Sequence, residues 1–159
     1  MLPEFIYGGM DGVITTVAII AGTMGANIAP KYAFILGLSN ILADGFSMGI
    51  SRYNSLVDIV KSNTNSELAL RSPLISALMT FFFFVLMGSI PLLPFVFDIK
   101  AEFIGYYLFV SSLLAFLVIG LIKGLTTKKY FKSMGEIIII GSIGALISYH
   151  VASKVKKYI

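Results

Sequence analysis

Ser72-Pro-Leu-Ile-Ser-Ala-Leu-Met-Thr-Phe-Phe-Phe-Phe-Val-Leu-Met-Gly-Ser-Ile-Pro-Leu-Leu-Pro-Phe-Val-Phe97 carries no charged side chain. At 1.5 Å per residue, a helix of about 20 such residues crosses a hydrocarbon core ~30 Å thick. The run is continuous rather than alternating, so it does not read as a barrel strand, which needs only about 10 residues of alternating character. Ser72 is placed to N-cap the helix, and Pro73 suits its first turn.

Four more stretches of this kind flank it. The five expected spans run over about 7–28, 32–52, 73–97, 103–124 and 134–153, the first stopping before Pro30. The polar segment 53–72 is a short link that extends the second span as a helix before turning at Asn63-Thr64-Asn65. The chain has 159 residues, of which 57% are hydrophobic, against 12 Lys and Arg and 8 Asp and Glu. A soluble domain of this size could not cover so much apolar surface, so the expected fold is a single transmembrane domain of the all-α integral membrane class.

Composition excludes several functions. Cysteine is absent, which removes disulfides, thiolate metal sites and cysteine nucleophiles. Met1-Leu-Pro-Glu-Phe5 lacks the positive segment and cleavage site of a signal peptide, so the first span is expected to remain as a membrane helix. The net charge of +4 forms no basic stripe, and nucleic acid is not an expected partner. No serine–histidine–acid set, H-E-x-x-H or phosphate-binding loop occurs; neither an enzyme nor a bound cofactor is expected.

Five spans put the two chain ends on opposite sides. With the N-terminus inside, the inner segments hold Arg52, Lys61, Arg71, Lys123, Lys128, Lys129 and Lys132, against Lys31, Lys100, Lys154, Lys156 and Lys157 outside. The excess favours a cytosolic N-terminus, although the C-terminal lysines oppose it.

Acids inside these spans are the candidate functional residues, because a charge at bilayer depth costs about 3 kcal/mol on insertion scales. Asp11 is followed at helical spacing by Thr15, Ala18 and Gly22 on one face. Its position also suits a surface acid near a helix N-terminus. Asn40, Asp44 and Met48 recur at i, i+4, i+8 in the middle of the second span, with Ser47 and Ser51 beside them. That stripe fits an ion or proton path, or hydrogen bonds that glue helices together. Carboxylate oxygens suit hard cations and thioether sulfur soft ones, so a site with both fits a borderline divalent ion such as Fe²⁺.

The remaining features have structural readings. Gly45/Gly49 and Gly120/Gly124 form G-x-x-x-G pairs that support tight packing or a homodimer. Ser133-Met-Gly-Glu136 matches a capping box opening the fifth helix. His150 stands alone near a basic tail. Asp98 and Glu102 are expected in solvent, and Phe81–Phe84 against lipid or inside the bundle.

Asp11-Gly-Val-Ile-Thr-Thr-Val-Ala-Ile-Ile-Ala-Gly22 resembles the first-span motif of the vacuolar iron transporter family. Gly37-Leu-Ser-Asn-Ile-Leu-Ala-Asp-Gly-Phe-Ser-Met-Gly49 resembles its second span, and Pro73 through Gly88-Ser-Ile-Pro-Leu-Leu-Pro94 its third. The resemblance implies five helices, a cytosolic N-terminus and a homodimer with the ion path between subunits. It also implies Fe²⁺ export from the cytosol, often with Mn²⁺ accepted, in exchange for protons. Asp11 and Met48 then fall on residues that line the path. Some members have a glutamate where this chain has Asn40; Asp44, one turn nearer Met48, is placed to supply its charge. Larger members carry a glutamate-rich cytosolic insertion, whereas the link here offers only Asp58 and Glu67.

The reading is thus a multi-pass cell-membrane transporter exporting Fe²⁺ or Mn²⁺ by proton exchange. Its metal ligands would be Asp11, Met48 and Asp44, supported by Asn40, Thr15 and Ser47. The alternatives are a non-transporting scaffold or assembly subunit, or a related transporter for another cation.

Overall fold

The computed structural model describes residues 2–62, 72–97, 99 and 101–158. The expected turn at Asn63-Thr64-Asn65, Glu67 and Asp98 fall outside these, as does the side chain of Glu102.

Five α-helices make up the described chain: α1 (Leu2–Gly25), α2 (Pro30–Lys61), α3 (Pro73–Ser89), α4 (Ala101–Thr127) and α5 (Tyr130–Val155). All five segments are long and apolar enough to cross a membrane, α3 together with the turn that follows it, and no strand occurs among the described residues. α1 starts at Leu2 rather than near Tyr7. α2 continues to Lys61, about 13 Å beyond Arg52 at helical rise. α3 stops at Ser89 and tightens into a 3₁₀ segment over Ile90–Phe95. Pro91 and Pro94 lie in this segment and have no N–H to continue the α-helical ladder.

The α1–α2 corner is set by local chemistry. Asn27 adopts φ 57°, its N–H donates to Met24 O, and Ile28 N–H donates to Thr23 O. This is a Schellman turn with asparagine at the left-handed position, and Pro30 then opens the next helix.

Two expected caps are not formed. Ser72 precedes α3 but makes no side-chain cap bond; Pro73 and Ser72 O, which accepts from Ser76 N–H, start the helix instead. Ser133 and Glu136 do not form a capping box, because α5 already begins at Tyr130. Ser133 is buried, with its Oγ 3.0 Å from Thr127 Oγ1. Glu136 Oε2 instead accepts from Lys123 Nζ at 2.9 Å, linking α5 to α4.

α1 is the hub, packed chiefly on α3 and α5, while α2 leans on α3 and α4 on α5. The α1–α3 contact is very close: a methyl on Gly12 would run into the Phe84 carbonyl, and one on Gly88 would lie 2.9 Å from Gly12 O. Gly45 and Gly49 serve the same purpose within the chain, against Phe81, Phe84 and Ala77 of α3. Gly120 and Gly124 accommodate Met134 and Tyr130 of α5. Both G-x-x-x-G pairs are thus used inside the monomer. Of the four phenylalanines, Phe84 is fully buried and Phe82 is exposed.

Candidate functional site: a carboxylate and thioether cavity between α1 and α2

Glu4 and Arg52 form an ion pair, with Arg52 Nη2 3.0 Å from Glu4 Oε1 and the Glu4 side chain only 1% exposed. This contact and the short corner at residues 26–29 make α1 and α2 antiparallel neighbours. Helical rise then places the acids. Asp11 lies about 10 Å along α1 from Glu4, while Met48 and Asp44 lie about 6 and 12 Å along α2 from Arg52. The polar stripe of α2 therefore runs alongside Asp11.

Asp11 and Met48 line one open cavity of about 540 Å³. Met10, Ile14 and Tyr7 of α1 share its wall, and Thr126 of α4 reaches it from a third helix. The lining is mostly apolar, so the Asp11 carboxylate and the methionine sulfurs are prominent among the groups an ion could meet. The Thr126 hydroxyl donates to Lys123 O at 2.7 Å, within its own helix.

The other predicted site residues are placed differently. Asp44 and Ser47 are exposed on the outer face of α2, and Asn40 is half-buried beside them. Asn40 Nδ2 donates to Asp44 Oδ2 at 2.7 Å, so the two act as a unit. The Thr15 hydroxyl donates to Asp11 O at 2.8 Å, a backbone bond that leaves the carboxylate free of it. Further along that face, Ser148 of α5 donates to Ala18 O and covers Gly22. The face below Asp11 is therefore a helix seam.

Two residues of the site go beyond the sequence expectation. Met10 is not among the site residues expected from the sequence, yet it lies next to Asp11 and shares its cavity. Arg52 reads only as a loop charge, yet it continues the Asn40, Asp44, Met48 spacing by one more turn. Among the described residues no group of three or more histidines, cysteines and acids comes together.

Five helices long and apolar enough to cross a membrane, three of which line a cavity holding a carboxylate and two methionines, define a multi-pass helical membrane protein. The chain belongs to the VIT family, whose family model matches residues 2–69 and 56–153. That is a family of transporters, not of enzymes, and the resemblance noted in the sequence holds. The chain is similar to the vacuolar iron transporter of Plasmodium berghei, 46% identical over 54 residues, which is 34% of this chain and 20% of that protein. It is similar to the vacuolar iron transporter of Plasmodium falciparum, 44% identical over 54 residues, again 34% of this chain and 20% of that protein. To the vacuolar iron transporter of Toxoplasma gondii it is 44% identical over 65 residues, 39% of this chain and 22% of that protein. The match thus spans about a fifth of the length of these relatives.

Proposed function

We propose that this protein is a divalent transition-metal transporter that moves Fe²⁺ or Mn²⁺ out of the cytosol in exchange for protons. The observation that carries the reading is the meeting of Asp11 and Met48, from two different apolar helices, in one cavity. A carboxylate and a thioether together suit a borderline divalent ion, and an intramembrane acid can exchange a proton for it. Membership of the VIT family and the iron transporters among its relatives support the same substrate class.

The working unit is a homodimer. Asp44 is an exposed acid in the middle of the otherwise uncharged run 32–51, flanked by exposed Leu42 and Phe46. Facing lipid it would cost several kcal/mol; facing the same stripe of a second copy across water it does not. The dimer also doubles Asp11 and Met48 around one axis, completing a ligand set that one chain supplies only in part. The N-terminus is cytosolic, on the side of the lysine-rich α4–α5 turn, and the membrane is the cell membrane. Asp11 and Met48 act as path ligands, Asp44 as ligand or proton carrier, and Asn40, Thr15 and Ser47 in support.

Metal uptake into proteoliposomes under an imposed pH gradient tests the proposal. The expected result is Fe²⁺ and Mn²⁺ flux that rises with the gradient. Liposomes that stay impermeable to every divalent ion with folded protein present would rule it out.

A further inference from the structure

We infer that Met10 is a second thioether ligand of the cavity, which biases it toward softer divalent ions. The inference rests on the reading of this cavity as a metal path. Met10 is adjacent to Asp11 on α1, and both line the cavity that Met48 enters from α2. Around them the wall is largely aliphatic, from Leu2, Pro3, Ile6 and Ile14. Tyr7 and Thr126 add the hydroxyls of the lining.

An ion leaving Asp11 within this chamber therefore has two sulfurs in its lining besides the Tyr7 and Thr126 hydroxyls. Two sulfurs from separate helices and one carboxylate make a softer set than one sulfur and one carboxylate. Met10 also packs against the core cluster around Val13 and Phe116, which fixes its stem while its unbranched side chain remains adaptable. Two further methionines have different surroundings. Met24 is exposed at the far end of α1, and Met87 packs against Gly9.

The test uses Cd²⁺ as a soft probe and Mn²⁺ as a hard one, on full-length protein. Competition between the two ions for transport is measured for the unmutated chain, Met10→Leu, Met10→Ile and, as a distant control, Met24→Leu. X-ray absorption at the cadmium edge counts the sulfur neighbours of bound Cd²⁺ in the same proteins. The Cd²⁺-to-Mn²⁺ preference is expected to fall about tenfold in both Met10 variants, the scale of a weakened metal contact. Fewer sulfur neighbours are expected with it, and Met24→Leu should match the unmutated protein. An unchanged preference and sulfur count in Met10→Leu, with Asp11→Asn still abolishing flux, would overturn the role of Met10 and leave the transport reading standing. No flux and no Cd²⁺ binding in the unmutated protein would overturn both.

Discussion

Arg52 Nη2 lies 3.0 Å from Glu4 Oε1, tying the first turn of α1 to α2 one turn beyond Met48. The carboxylate is almost fully buried while the guanidinium is one-fifth exposed. The pair sets the register in which Asp11 and Met48 share a cavity. Arg52→Ala is expected to destabilise the protein by about 2 kcal/mol, below the ~3–5 kcal/mol seen when a fully desolvated pair is broken. Adding Glu4→Gln should restore part of the loss, because the two effects are coupled. Thermal unfolding in detergent of the single and double variants measures this.

Asp11 and Asp44 should separate in function. Asp11→Asn removes the carboxylate in the cavity, so metal flux should drop by about tenfold or more. Asp44→Asn keeps the bond geometry to Asn40 nearly intact but removes a titratable group. It should weaken the dependence of flux on the pH gradient more than flux itself. Uptake by the two variants with and without a gradient is the measurement. Identical behaviour of both would remove the distinction drawn between them.

The outer face of α2 should be the dimer seam. The chain contains no cysteine, so single cysteines can be introduced on the native background. Ser47→Cys, exposed beside Asp44, is expected to give an oxidative dimer in membranes. Ile147→Cys on the exposed face of α5 should not. The gel mobility of the two proteins after oxidation decides it.

Gly12 and Gly135 should respond oppositely to the same substitution. Gly12→Ala forces a methyl into the Phe84 carbonyl and should cost about 2 kcal/mol as overpacking. A methyl added to Gly135 would meet no atom within 4 Å. Gly135→Ala should therefore be neutral or stabilising by about 0.5 kcal/mol, the gain from stiffening a helix interior. Melting temperatures in one detergent compare them.

Lys128 holds φ 55° in the turn between α4 and α5, a region where a side chain is strained by about 1 kcal/mol. Lys128→Gly is expected to raise the melting temperature slightly, since glycine adopts this conformation without a Cβ clash. A thermal melt of this variant beside the unmutated chain checks it.

Much of this was legible in the sequence because the bilayer imposes a length and a polarity on every span. The apolar runs mark the five helices, and the spacing of Asn40, Asp44 and Met48 marks the stripe on α2. What stayed hidden depended on partners distant along the chain. Glu4 and Arg52 are remote in sequence, and nothing local marks either as the other's partner. Met10 differs from a packing methionine only by the cavity it faces. The capping box at Ser133 does not form because helix α5 gains a turn from Tyr130, whose Cα seats over Gly124. The break at Ser89 is written in Pro91 and Pro94, but an uncharged run conceals a change of helix type from a hydropathy reading.

The mutual approach of Gly12 and Gly88 has a mechanical consequence. With backbone against backbone and no side chain between to yield, α1 and α3 are held together as one beam. Asp11 is bolted to that beam. Gly45 and Gly49 seat α2 against the same α3, and Arg52 pins it to Glu4, so Met48 is held at a fixed height beside the acid.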